Sequence, residues 1–332
     1  MSDNTKIEWA SRTWNPILGC DKVSPGCDRC YAIVQARIRG GNPNPKVAGA
    51  FEGLTHRTES GIDWTGRVNV LPERLLQPLR WGKPETVFVN SLSDLFHKNV
   101  PEDFILQVFA VMAVTPRHTY QVLTKRHGRM RSLLNRESFT EDVRALAWSL
   151  EGHSARRVHW PLPNVHLGVS AESQQWLSLR LPALMATPAA VRWVSAEPLI
   201  GPLSFWPDDH AGHDRDDIGE FGGWTWTCLD CSGQEDQDPR VPWHTYDRSE
   251  GIGVDWVVAG GESGPGARPC DLAWLRLLRD ECAEANVPFF AKQLGSVLGK
   301  QLGAGSKGGD WDKWPEDLKI REFPRVAGAV AA

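Results

Sequence analysis

One pattern, repeated along the chain, narrows the fold more than any other: a short, β-rich apolar run that stops abruptly at polar or charged residues. Thr86–Asn90 gives way to Ser91-Leu-Ser-Asp94, and Thr119–Leu123 to Thr124-Lys-Arg126. Val165–Val169 precedes Ser170-Ala-Glu172, and Val191–Val194 precedes Ser195-Ala-Glu-Pro198. Asp255–Ala259 meets Gly260-Gly-Glu262, and Val287–Ala291 meets Lys292-Gln293. Near-continuous apolar runs of this length suit strands buried on both faces, as in a parallel sheet.

Helical periodicity fills the intervals. Phe104, Ile105, Val108, Phe109 and Met112 recur at helical spacing after Pro101, and Thr115-Pro116 stops them. Asp271 is the expected N-cap of a stripe formed by Leu272, Leu275, Leu278 and Cys282. Trp176–Met185 also reads as a helix, with Pro182 inside it. Strands alternating with helices predict an α/β fold of βαβ units with right-handed crossovers. Asp94, Lys125, Glu172, Glu197, Glu262 and Lys292 each fall just past a strand end, where β/α barrels build their chemistry. A charge where a buried strand ends needs no function by itself, but six in one arrangement favour a shared rim. A (β/α) barrel and a doubly wound open sheet would both produce it.

Residues 205–253, rich in Asp, Gly, His and Trp, lack core periodicity and are expected to form an irregular insertion. The expected organisation is a core over residues 1–297, interrupted by that insertion, and a Gly-rich extension over 298–332.

Cysteine carries the strongest local signal. Cys20, Cys27 and Cys30 form a C-x6-C-x2-C cluster in which Pro25-Gly26 turns the chain, so three thiolates can converge on one centre. A structural zinc site would need a fourth ligand, such as His56 or His97. A cubane [4Fe–4S] cluster held by three cysteines leaves one iron open. Cys228 and Cys231, near His210, His213 and His244 in the insertion, are candidates for a small zinc site; Cys270 and Cys282 are expected to be inert. The N-terminus lacks the basic start and apolar core of a signal peptide, and no apolar run approaches the ~18–20 residues of a membrane span. A cytoplasmic, reducing setting is expected, so the seven cysteines are not read as a disulfide framework. A net charge of −4 argues against a protein that grips nucleic acid chiefly by neutralising phosphates. Lys125, Arg126, Arg129 and Arg131, with Arg117 and Arg136, form a local basic patch, read either as a contact for a nucleotide or nucleic acid or as a solvated helix face.

Thr13-Trp-Asn-Pro16, Ser24-Pro-Gly-Cys-Asp-Arg-Cys-Tyr31, Ser91-Leu-Ser-Asp-Leu-Phe-His97, Leu123-Thr-Lys-Arg126, Leu167-Gly-Val-Ser170, Ser195-Ala-Glu-Pro-Leu199 and Gly260-Gly-Glu-Ser-Gly-Pro-Gly-Ala-Arg-Pro269 together resemble a phage and bacterial three-cysteine-motif family. An N-terminal three-cysteine loop followed by α/β units is also similar to radical S-adenosylmethionine enzymes, whose common spacing is C-x3-C-x2-C. The resemblance implies a partial (β/α) barrel with a [4Fe–4S] cluster in the loop after the first strand. It also implies S-adenosylmethionine on the open iron, an electron donor and a 5′-deoxyadenosyl radical, with a nucleobase or nucleic acid as a substrate class. By position, Ser91, Ser93 and Asp94 would lie near the methionine amino group and Lys125 near its carboxylate. Ser170, Glu172 and Glu197 would bind ribose or amine, and Gly260 and Gly261 would admit adenine or substrate. Two other functions fit the residues: a zinc- or cluster-stabilised binding protein for nucleic acid or a partner, and an iron–sulfur repair or redox enzyme that does not use S-adenosylmethionine.

Overall fold

The computed structural model describes residue 5 and residues 7–59, 61–151, 158–206 and 252–324. Seven strands form its main sheet: β1 (Arg12–Trp14), β2 (Thr86–Val89), β3 (Thr119–Thr124), β4 (Val165–Ser170), β5 (Val191–Ala196), β6 (Trp256–Gly260) and β7 (Phe289–Gln293). Every pairing is parallel, and the order across the sheet is the order along the chain. Winding in one direction puts all crossover helices on one face, so the sheet curls to bury the other face against itself. A doubly wound sheet reverses direction at a switch point, and this one does not. The architecture is a curled half-barrel. Among the described residues β1 and β7 each pair with one strand only, so it stays open between them.

Between β1 and β2 the chain builds a small lobe. Ile17–Leu18 pairs antiparallel with Asn69–Val70, and a hairpin joins Thr55–Thr58 to Gly61–Trp64. Helix α1 (Tyr31–Gly40) lies between them in sequence and packs Ile33 and Ala36 against Phe51, Leu54 and Trp64. The crossover layer contains α2 (Glu102–Ala113), α3 (His127–Leu134), α4 (Glu137–Glu151), α5 (Gln174–Met185) and α6 (Leu272–Glu284); α7 (Gly295–Gln301) follows β7. As expected, Asp271 caps α6, its carboxylate accepting from the Ala273 amide at 2.8 Å.

Side-chain alternation splits the core in two. Val87, Val89, Tyr120, Val122, Leu167, Val169 and Val194 face the helices. Phe88, Trp193, Trp256, Val258 and Phe290 face inward and close around Trp9. Trp9 meets Phe88 edge-on at 4.5 Å and Trp193 at 5.4 Å, so part of the chain's tryptophan content fills the barrel. Gly168 makes this possible: a first side-chain carbon there would lie 2.4 Å from the Trp193 ring.

Within the Gly-rich extension expected over 298–332, α7 continues to Gln301, turns and irregular chain follow as far as Asp310, and the chain then returns to the sheet. The Ala291 amide donates to Ile320 O at 2.9 Å, the Glu322 amide to Phe289 O at 3.0 Å, and Trp256 Nε1 to Glu322 O at 2.9 Å. Trp314 and Leu318 are buried. The tail covers backbone groups on the outer side of β7 that an edge strand would otherwise present. At the boundaries of the expected insertion, Phe205, Trp206 and Ile252 are buried; Cys228 and Cys231 lie outside the described residues. Among the described residues no helix is long and apolar enough to cross a membrane.

Candidate functional site

The alternation that fills the barrel also aims the rim charges. Continuing the inward parity of Gln121, His166, Trp193 and Phe290 by steps of two reaches Lys125, Ser170, Glu172, Glu197 and Lys292. Their contacts agree. Lys125 Nζ donates to Ser170 Oγ at 2.6 Å and to Glu172 Oε2 at 3.2 Å. Ser170 Oγ donates to Glu197 O at 3.2 Å, and Lys292 Nζ reaches both Glu197 carboxylate oxygens at 2.6 and 2.7 Å. The ends of β3, β4, β5 and β7 are thus laced by one polar network at the mouth.

The cysteine loop is clamped onto that network. The Gly26 amide donates to Glu172 Oε1 at 3.1 Å, and a side chain at position 26 would put its first carbon 2.9 Å from Glu172 Cδ. Arg268 Nη2 donates to Pro25 O at 2.8 Å while its guanidinium grips Glu262 at 2.5 and 3.0 Å. Arg29 approaches Glu262 at 3.5 Å. Glu172 is fully buried and also receives Arg180 Nη1 at 3.0 Å. Burial alone would raise its pKa, but Lys125 and Arg180 outweigh that and hold the carboxyl below the usual glutamate range.

Cys20, Cys27 and Cys30 are free thiols, each partly accessible. Burial pushes Cys20 well up and raises Cys30, and each also feels the neighbouring thiols. A cation opposes this at each of the two: Arg126 favours the thiolate of Cys20, and Lys125 favours that of Cys30. Three thiols on one loop are donors of the kind that a thiolate-bound centre uses. Among the described residues no group of three or more His, Cys, Asp and Glu gathers as ligands of one ion.

Other residues singled out from the sequence have structural work at the same mouth. The Asp94 carboxylate accepts from Thr124 Oγ1 at 2.7 and 2.9 Å and from the Lys125 and Phe96 amides at 3.0 Å, which braces the end of β3. Ser93 Oγ donates to Ile17 O at 2.8 Å; Ser91 Oγ donates to Asn15 Oδ1 at 3.2 Å, and the Ser91 carbonyl receives the Tyr31 hydroxyl at 2.6 Å. Gly261 permits a close approach, but to its own chain: a side-chain carbon there would lie 2.3 Å from Leu294 O, and one at Gly260 would lie 3.1 Å from Gln293 O. His97, considered as a fourth zinc ligand, is fully buried, with Nδ1 accepting from the Asn99 amide and Nε2 3.2 Å from Asp21; His56 is exposed on the lobe hairpin.

The basic patch is largely consumed internally. Arg117 donates to the carbonyls of Pro78, Leu79 and Trp81, and Arg129 to those of His97 and Val100. Arg126 pairs with Asp21, and Arg136 with Glu102. Two members of the site went unread in the sequence. Arg268 sits in a Gly-rich loop with no spacing signal. Arg180 is a lone cation among the buried Leu177, Leu181 and Leu184 of α5, and a charge on an apolar helix face was the available clue.

A curled β/α half-barrel with three free thiols clamped across the C-terminal ends of its strands defines the class of protein. More particularly, the chain belongs to the family described as protein of unknown function (DUF5131), which matches residues 4–316. No curated protein and no solved structure matches it.

Proposed function

We propose that this chain is an iron–sulfur enzyme that uses S-adenosylmethionine, with Cys20, Cys27 and Cys30 holding a [4Fe–4S] cluster at the barrel mouth. The observation that carries the reading is a single loop with three free thiols clamped across the strand ends, its Gly26 amide on Glu172 and its Pro25 carbonyl on Arg268. When bound, the cluster and S-adenosylmethionine would together supply reductive cleavage of a carbon–sulfur bond and a 5′-deoxyadenosyl radical.

The chain's own residues orient and protect that chemistry. Glu172 fixes the loop through the Gly26 amide, so the sulfurs are held in relation to the strand ends. Arg126 and Lys125 counter the negative charge of thiolate ligands at Cys20 and Cys30. Lys125, Ser170, Glu197 and Lys292 offer both signs of charge and a hydroxyl at one opening, suited to the amino, carboxylate and ribose groups of the cofactor. The Trp9, Phe88, Trp193 and Trp256 cluster closes the barrel below and excludes water from that side. A nucleobase or nucleic acid remains the proposed substrate class.

The test is anaerobic purification, iron, sulfide and zinc analysis, and spectra recorded with and without S-adenosylmethionine. About four irons per chain and a spectrum that changes on adding the cofactor are expected. Stoichiometric zinc without iron would replace this reading with a zinc-stabilised binding protein. A cluster indifferent to the cofactor would point to a repair or redox enzyme independent of it.

A further inference from the structure

Successive turns wind the thiol loop up to the start of α1. The Cys27 amide donates to Ser24 O at 2.8 Å, the Cys30 amide to Cys27 O at 3.3 Å, and the Ile33 amide to Cys30 O at 3.2 Å. Bonds of this kind set residues three apart on the same side of the chain. The turn from Cys27 to Cys30 also brings their Cα atoms within about 7 Å, and a disulfide spans roughly 4.4–6.8 Å. Both flanks of the turn are pinned. Glu172 holds the Gly26 amide at 3.1 Å just before Cys27, and Cys30 is itself the N-cap residue of α1. Asp28 and Arg29 between the two thiols are exposed, and the thiols are partly accessible. Cys20 stands outside this turn, before Pro25-Gly26, and its Sγ lies 3.4 Å from Asp21 O.

A C-x2-C pair on a tight turn at a helix start has a chemistry besides holding metal, which is thiol–disulfide exchange. In reducing compartments such bridges are transient redox elements rather than structural staples. We propose that Cys27 and Cys30 form a reversible disulfide when no centre is bound, so that the loop accepts metal only in its reduced state. The oxidant is a small-molecule disulfide such as oxidised glutathione. One cysteine thiolate attacks it and expels a glutathione thiolate; the other cysteine thiolate attacks the resulting mixed disulfide and expels the second. The two cysteines together lose two electrons and two protons, and the glutathione disulfide gains them as two thiols. Bridging consumes two of the three donors and leaves Cys20 alone, too few for a thiolate-bound centre. The pairing needs only the turn; its effect on metal rests on the proposed centre.

The test uses full-length protein stripped of metal anaerobically, with its Cys20→Ser, Cys27→Ser and Cys30→Ser variants. Each is equilibrated with reduced and oxidised glutathione, trapped by acid, alkylated and mapped by peptide mass spectrometry. Cobalt(II) absorption reports thiolate binding. A Cys27–Cys30 bridge is expected in the unsubstituted protein and in Cys20→Ser, and dithiothreitol should reverse it. Cobalt binding at the loop, read as the absorption that Cys27→Ser removes, should fall by about tenfold or more on oxidation and return on reduction. Mixed disulfides with glutathione alone, or a bridge made by Cys20 instead, would overturn the pairing and leave the iron–sulfur reading intact. Equal cobalt binding by the oxidised and reduced protein would overturn the switch. Normal bridging in a protein whose reduced form takes up neither cobalt nor iron would remove the centre, and the switch with it.

Discussion

Cysteines in this chain divide by what surrounds them. Cys282 is fully buried on the apolar side of α6, and burial pushes its thiol well up; Cys270 is buried too and is pushed up to about 12. Neither has a cation such as those that favour the Cys20 and Cys30 thiolates. Cys27→Ala is expected to abolish iron retention while the far-ultraviolet spectrum is preserved, since Cys27 contributes nothing to either large core. Cys282→Ala should retain iron and lose about 1 kcal/mol of stability in urea denaturation, the scale of a small buried group removed. Iron loss in both variants would show that retention depends on general stability. Gly168 makes a different residue-scale case, because the Trp193 ring occupies the space of a side chain. Gly168→Ala should cost about 1–3 kcal/mol through overpacking, and a denaturation midpoint equal to that of the unsubstituted protein would contradict the packing described.

At the scale of elements, the decisive contact is a loop held by two strand ends. Glu172, beyond β4, takes the Gly26 amide, and Glu262, beyond β6, holds the Arg268 that takes Pro25 O. Glu172→Gln removes the charge that Lys125 and Arg180 balance and should cost about 3–5 kcal/mol, with faster proteolysis within residues 20–30. Because the folded carboxyl lies below its ordinary value, the contribution of Glu172 is present above that value and is lost as pH falls through the lower folded one. Unchanged protease sensitivity in the variant would remove Glu172 from its clamping role. Six of the seven strands were legible because continuous apolar runs end where buried backbone ends. β1 was not, since Arg12-Thr-Trp14 is three residues long and carries a single apolar residue. The rim was legible as positions but not as partners: period two aims Lys125 and Glu172 inward, whereas Arg180 reaches Glu172 and Arg268 reaches Pro25 only through tertiary folding. The Gly-rich stretch was legible as turns beyond Gln301, but the seat of the tail on β7 was not, because it depends on long-range contacts of Trp314, Leu318 and Ile320.

For the molecule as a whole, single-direction winding creates an interior that must be filled without help from the helix layer. Most of it is aromatic, but His166 on β4 also faces inward, with both ring nitrogens buried and no protein hydrogen-bond partner. Burial lowers its pKa from 6.5 to about 4, so the folded barrel holds the imidazole neutral while the unfolded chain would protonate it below pH 6.5. The unfolded state therefore binds more protons between these values, and stability is full above pH 6.5 and falls as the pH drops toward 4. A shift of that size corresponds to about 3 kcal/mol. His166→Leu keeps an apolar side chain of similar bulk and removes the titration. Urea denaturation of both proteins at intervals from pH 7 to pH 4 should show the unsubstituted protein losing about 3 kcal/mol more than the variant. Parallel curves would mean that water or a charged partner reaches the ring, and the dry interior inferred from the winding of the sheet would have to be abandoned.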